Sequence, residues 1–185
     1  MNIALDVKGI EPSTPGAIAF LKSRDKKMLI GGDWVDAVSG KRIDSKDPAT
    51  GAVIASIPAG AKADVDKAVT VARASFDKGV WRNKTPDERA RVLWKISELI
   101  EANIDELAEL ETLDQGKPLF VGRWAEIPGA AAQFRYFSGQ ATKLEGTTIP
   151  TSINYQPLGK QVFAYTLKEP VGVVGAITQI GRAHV

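Results

Sequence analysis

The sequence predicts an α/β fold, and three patterns along the chain support this class. Residues 28–60 alternate short strand-like segments with turn residues, and apolar residues follow at helical spacing from about residue 63. Residues 171–178 then read VGVVGAIT, a run without polar alternation that is typical of a parallel-sheet strand covered on both faces. Because one strand cannot form a parallel sheet, the pattern predicts the opening portion of a larger α/β domain.

Composition and charge exclude several classes of protein. The 185 residues carry 24 basic and 22 acidic side chains, and no stretch concentrates basic residues, so no nucleic-acid partner is expected. The longest apolar runs, residues 17–21 and 171–177, are shorter than the ~20 residues that cross a bilayer, and no signal peptide opens the chain. We therefore expect a cytoplasmic protein with no membrane partner. The absence of cysteine excludes thiolate metal sites within these residues, and no metal site is predicted.

The first 60 residues contain an extension followed by strands. Residues 1–26 are expected to form a loosely attached N-terminal extension, because prolines and a glycine interrupt its weak apolar patches and no helical period persists. Within residues 28–60, turn residues at 31–32, 39–40 and 47–51 separate the strand-like segments. This alternation predicts one small antiparallel sheet.

Four helices are predicted between residues 63 and 134. The first, residues 63–78, ends at Gly79 and has an apolar stripe along one face. The residues of this stripe are Val65, Ala68, Val69, Ala72 and Phe76. The second helix begins after Thr85, whose side chain can cap it while Glu88 reaches back to the amide of Thr85. Its core-facing residues are predicted to be Val92, Leu93, Ile96, Leu99 and Ile100.

The third and fourth helices have less regular end signals. Asn103 can cap the third helix, which Gly116 and Pro118 end. The fourth helix covers residues 120–134 and contains Pro128, which lacks a backbone donor. We therefore expect this helix to kink or to restart at Pro128.

Strand character returns after the helices. Residues 147–149 and 162–167 predict a hairpin within the segment 146–168. Because a polar pair of strands outside the main domain exposes edges that need a partner, this hairpin predicts self-association.

Several residue groups that could suggest a site are interpreted as structural. A set of carboxylates is expected to form a solvated helix face: Asp105, Glu106, Glu109 and Glu111. The tryptophans are expected to pack in the core or at interfaces: Trp34, Trp81, Trp94 and Trp124. Lys117 is interpreted as a cation at a helix C-terminus. Gly172 and Gly175 do not form the G-x-G-x-x-G dinucleotide fingerprint, and two strand glycines alone indicate close packing.

Five segments, in order, resemble the N-terminal part of the aldehyde dehydrogenase superfamily. They are KMLIGGDWVDAVSGK, DPATGAVIASIPAG, DVDKAVTVARASF, ELAELETLDQGKPL and LKEPVGVVGAIT. The resemblance implies that residues 27–178 are a truncated N-terminal portion of an NAD(P)-binding domain. Its fold would comprise a small antiparallel sheet, helices, part of an oligomerisation hairpin at about 146–168 and the first strand of a Rossmann-like cofactor domain. LDQGKPL and FRYFSGQATKLEGTTIP most resemble members that act on aromatic, aliphatic or betaine-type aldehydes.

The resemblance also implies an activity for the parent protein. Members of the family oxidise an aldehyde to a carboxylic acid with NAD or NADP: a cysteine thiolate attacks the carbonyl, a hydride leaves the thiohemiacetal, and water hydrolyses the thioester with a glutamate base. The full-length protein would be a homodimer or homotetramer. This chain has no cysteine, and QIGRA follows Thr178 where the family has a Trp-Asn segment, so no catalytic residue is assigned and the fragment is expected to be inactive.

Only two residues match positions of the family that lie beside the cofactor. Ile177 and Thr178 correspond to the strand end next to the adenosine half of the dinucleotide, and they are the predicted cofactor-binding residues. NAD and NADP are not distinguished, because the residue that reads the ribose 2′ position would lie on a later strand.

The last seven residues have a separate interpretation. QIGRAHV, residues 179–185, can be encoded by a string that matches the start of a sequencing-library adapter, so we expect a tail that is not native. A natural short C-terminus is the alternative. His184 lies in this tail and is assigned no role. A second functional class also stays open, in which the chain is a non-catalytic assembly or regulatory module that binds an intact dehydrogenase.

Overall fold

The computed structural model describes residues 11–151 and 162–177. The elements of the first part are α1 (Pro15–Lys22), β1 (Met28–Ile30), β2 (Asp33–Val35), β3 (Arg42–Lys46), β4 (Val53–Pro58) and α2 (Lys62–Lys78). The helical part comprises α3 (Pro86–Ala102), α4 (Ile104–Gln115), α5 (Leu119–Val121), a π-helical turn (Gly122–Glu126) and α6 (Ile127–Gln140), and the short strands β5 (Thr148–Ile149) and β6 (Ala164–Tyr165) follow.

The N-terminal helix α1 corrects the expectation of a loosely attached extension without helical structure. Thr14 is its N-cap, with the side chain accepting the Ala17 N–H at 3.3 Å, and Pro15 occupies its first turn. The helix packs on α4, and Ala17 is fully buried. Residues 1–10 of the predicted extension lie outside the described residues.

The strands form two hairpins rather than the one sheet that was predicted. β1 pairs with β2, and β3 pairs with β4, both antiparallel and each in its own two-stranded sheet. The backbone preceding β1 also runs along β4, since the Lys26 N–H donates to the Ser56 carbonyl at 2.8 Å. Turn residues and alternation set each hairpin locally, whereas the assembly of hairpins into sheets depends on partners distant in sequence.

Arg42 joins three parts of this region. Its guanidinium donates to the carbonyl oxygens of Lys26 and Ser56, at 2.7 Å each, and to the Asp36 carboxylate at 2.7 Å. Its Nε donates to the Ser56 hydroxyl at 2.9 Å. The planar fork of arginine can satisfy these acceptors together, so Arg42 stabilises the arrangement of both hairpins and the segment before β1.

The predicted helix is confirmed as α2, but side chains of its apolar stripe are exposed to solvent. Gly79 ends it in the left-handed conformation, with φ of 71°. Asp64 in its first turn is buried and accepts the N–H groups of Val38 and Ala61, at 2.9 Å each. Val65 is 57% exposed and Val69 is 48% exposed, so this part of the stripe faces solvent within the described residues. No second layer covers this side of α2 within them.

The helical part has a small-residue core. α3 packs along α6, where Ser97, Ala131 and Ser138 are buried, and the Ser138 hydroxyl donates to the Ala90 carbonyl at 2.9 Å. Small residues allow the two helix backbones to approach closely. Two of the predicted core residues of α3, Val92 and Leu99, are exposed.

Two predicted caps have different outcomes. At α3 the capping box is confirmed, since the Thr85 hydroxyl accepts the Glu88 N–H at 3.2 Å and the Glu88 carboxylate accepts the Thr85 N–H at 2.7 Å. The side chain of Asn103 does not cap α4, because it donates to the Leu99 carbonyl at 2.7 Å and so closes α3.

The helix is interrupted close to Pro128, where a kink or a restart was predicted, and the interruption is a π-helical turn. The α-helix resumes at Ile127, and the Ile127 N–H donates to the Gly122 carbonyl, the i→i+5 bond of a π-helix. Pro128 lacks the N–H that would continue the α-helical ladder, so a wider turn at this point is physically reasonable. The sequence pattern did not indicate the π-helical geometry.

The end of the described chain differs most from the prediction. β5 and β6 pair antiparallel, Thr148 with Tyr165 and Ile149 with Ala164, which confirms the ends of the predicted hairpin, while residues 152–161 lie outside the described residues. Residues 171–177, here called the C-terminal segment, form no strand. No neighbouring strand pairs with these residues in the described part of the chain, so the expected strand covered on both faces stays a prediction for the full-length protein.

Buried apolar residues in the described parts are mostly small. They are Ala17, Ile30, Ala37, Ala55, Ala108, Leu113 and Ala131. Large aromatic and aliphatic side chains lie at the surface instead. None of the helices within residues 11–151 and 162–177 has the length and apolarity needed to cross a membrane.

Candidate functional site

The predicted cofactor residues lie at the edge of the described chain. Ile177 is fully exposed at the end of the C-terminal segment, and Thr178 lies outside the described residues. Val171 and Val174 are exposed as well. The segment therefore presents apolar side chains and backbone, with no charged side chain among residues 171–177.

The C-terminal segment approaches α2 at Gly172. A Cβ placed on Gly172 would lie 3.4 Å from Arg73 Nη1 and 3.9 Å from Phe76 Cε1, while one placed on Gly175 would meet nothing within 4 Å. The guanidinium groups of Arg73 and Arg82 lie 5.3 and 5.2 Å from the centroid of the Phe76 ring. Gly172 thus lies beside Phe76, a residue of the α2 stripe, and the exposed apolar side chains of the segment and of the stripe are the candidate site.

A shallow groove lies on a different part of the molecule, at α5 and the π-helical turn. It is lined by Leu119, Phe120, Arg123 and Trp124. Gly122 lies behind it, against α4, where a Cβ would sit 3.0 Å from the Ala108 Cβ. The absence of a side chain thus lets the turn approach α4 closely.

Ion pairs hold the π-helical turn on α4. Lys117 Nζ lies 3.0 Å from Glu111 Oε1 and 3.2 Å from Glu126 Oε1. The hydrogen bond to Glu111 raises the pKa of Lys117, although burial opposes this. Lys117 therefore bridges two carboxylates, and its interpretation as a cation that serves only a helix C-terminus is incomplete.

The acidic residues of α4 do not form the solvated face that was expected. Asp105 is exposed, but Glu109 and Glu111 are buried. Burial raises the pKa of Glu109, yet hydrogen bonds from Ser13 and Thr14 outweigh that effect and hold the pKa at about 2. Glu109 is therefore ionised at neutral pH inside the fold.

The tryptophans are also placed differently from the expectation of core packing. All four are exposed: Trp34, Trp81, Trp94 and Trp124. Trp124 lines the groove, and Trp94 lies under the Arg135 guanidinium at 5.0 Å. Their packing at interfaces stays a prediction. Within the described ranges, no three His, Cys, Asp or Glu side chains come together in a way that could hold a metal ion.

Comparison with known proteins identifies the family that most of the chain resembles. The model of the aldehyde dehydrogenase family matches residues 34–179. The chain is 46% identical over 151 residues to aldehyde dehydrogenase family 2 member C4 of Arabidopsis thaliana. The match covers 82% of this chain and 29% of that protein. It is 45% identical over 151 residues to the mitochondrial aldehyde dehydrogenase family 2 member B4 of the same plant. This match covers 82% of this chain and 27% of that protein.

A solved structure matches at the level of the fold. The NAD+ complex of an aldehyde dehydrogenase from Bacillus cereus superimposes with a TM-score of 0.74 at 38% identity, and the match covers 85% of this chain and 30% of that one. This match confirms the predicted fold class, a mixed helical and small-sheet arrangement like that of the N-terminal region of such enzymes. The chain spans less than a third of the length of these relatives.

Proposed function

The chain belongs to the aldehyde dehydrogenase family, and on that premise we propose that it is the N-terminal portion of an NAD(P)-dependent enzyme that oxidises an aldehyde to a carboxylic acid. The observation that carries the proposal is the match to the NAD+ complex from Bacillus cereus over 85% of this chain. The activity, the substrates and the assembly of the whole protein are part of the proposal, because the chain spans only 30% of that structure.

The openness of the C-terminal segment supports a dinucleotide site there. Its surface is apolar and open at Gly175 and Ile177, so that a ribose and adenine could approach the backbone without displacing a side chain. Ile177 and Thr178 would lie beside the adenosine half of the bound cofactor. When bound, the cofactor supplies the hydride acceptor, and these residues contribute apolar contact and position.

The chemical step would use residues beyond those of this chain. A cysteine thiolate would attack the aldehyde carbonyl and a glutamate would activate water to hydrolyse the thioester. This chain has no cysteine. We therefore propose that the 185 residues alone are inactive and that they tend to aggregate, since the C-terminal segment and the stripe of α2 lack the sheet that would cover them.

The test is expression of the complete gene. The full-length protein should reduce NAD+ or NADP+ in the presence of an aldehyde, and parallel assays with aromatic, aliphatic and betaine-type aldehydes would identify the preferred class. Replacement of the nucleophilic cysteine by alanine is the control that should abolish turnover. Absence of any aldehyde-dependent reduction by the complete protein would contradict the proposal.

A non-catalytic assembly or regulatory module is the second candidate. The exposed aromatic residues Phe163 and Tyr165 on β6 favour a partner at this hairpin. The two candidates differ in the gene, because a module predicts a stop codon soon after Thr178, whereas the enzyme predicts Trp-Asn directly after it and a cysteine further on.

Self-association and location complete the proposal. β5 and β6 form a two-stranded sheet with unpaired edges in the described residues, and unpaired edges favour pairing with a second copy. The full-length enzyme is proposed to be a homodimer or homotetramer in the cytoplasm. Light scattering that gives only the monomer mass would contradict the proposed homo-oligomer. Localisation of the tagged full-length protein tests the proposed cytoplasmic location.

A further inference from the structure

We draw no further inference here: the strongest candidate, the shallow groove at α5 and the π-helical turn with the exposed rings of Phe120 and Trp124, carries nothing, because no contact within residues 11–151 and 162–177 shows what covers those rings and the Arg123 guanidinium beside them is already paired with Asp105.

Discussion

Two regions of the molecule differ in how much of their chemistry is matched within the chain. One is the helical region around α4, and the other comprises α2 and the C-terminal segment. Around α4, the buried charges of Glu109 and Glu111 have partners within the chain, and the π-helical turn closes on Ala108. On the α2 side, Val65, Val69 and Ile177 face solvent. The first region thus pairs its buried charges internally, whereas the second exposes apolar side chains that are typical of an interior. The difference supports the proposal that the rest of the full-length fold attaches at the second surface.

The largest expected effect separates the two regions directly. Val69→Asp should prevent folding of the full-length protein, because burying an unpaired carboxylate costs several kcal/mol, about 3 or more. In the 185-residue chain the same change should leave stability nearly unaffected and improve solubility, since Val69 is 48% exposed. Soluble yield and thermal midpoint of both forms measure this.

The matched control for that prediction is Ala74→Asp. Ala74 is exposed and lies on the opposite side of α2 from Val65. It should be tolerated in both forms of the protein. An equal loss of stability from Val69→Asp and Ala74→Asp in the full-length protein would show that the stripe is not a buried face.

The second prediction concerns the pH dependence of the α4 region. The pKa of Glu109 is lowered from 4.5 to about 2. Because the folded pKa lies below the unfolded one, its contribution to stability is complete above about pH 4.5 and is lost as the pH falls toward 2. Urea unfolding of the wild type and Glu109→Gln between pH 6 and pH 2 measures the difference, which should shrink across this interval. A constant difference would mean that the carboxylate charge does not contribute.

A smaller effect is expected at the β hairpins. Arg42→Lys keeps the charge but loses the planar fork that reaches Asp36, Lys26 and Ser56 together. We expect a loss of about 2 kcal/mol in the free energy of unfolding, from hydrogen bonds no longer made to a charged donor. Urea unfolding measures it, and Arg91→Lys, at an exposed ion pair with Asp87, is the control that should change little. Similar losses for both substitutions would contradict the joining role of Arg42.

The smallest effect is expected at the start of α3. Thr85→Ala removes the cap that accepts the Glu88 N–H, at a cost of about 1 kcal/mol. Thr85→Ser keeps a hydroxyl and should retain most of that stability. Thermal unfolding of the two variants tests this, and an equal decrease in both would argue against the capping role.

Local chemistry explains which parts of the fold were predictable. Thr85 with Glu88, and Gly79 after α2, are short-range signals, and the structure places them as expected. Thr14 followed by Pro15 is a signal of the same kind, and it could have identified α1. The role of Glu109 could not be found this way, because Ser13 lies 96 residues away and only folding brings the two together.

The candidate site was predictable in its chemistry but not in its conformation. The sequence of the C-terminal segment has the propensity of a buried strand, but a strand needs hydrogen-bond partners, and the described residues provide none for residues 171–177. The same reason applies to the stripe of α2, whose period predicted an apolar face without specifying what covers it. Ile177 and Thr178 as cofactor contacts remain a prediction.

The crystal structure of the full-length protein with NAD+ tests the central claim most directly. The account predicts that residues 171–177 form a strand of a parallel sheet, that Val65 and Val69 are buried beneath that sheet, and that Ile177 and Thr178 lie beside the adenosine of the cofactor. A structure in which Val69 stays in solvent and residues 171–177 remain unpaired would contradict it.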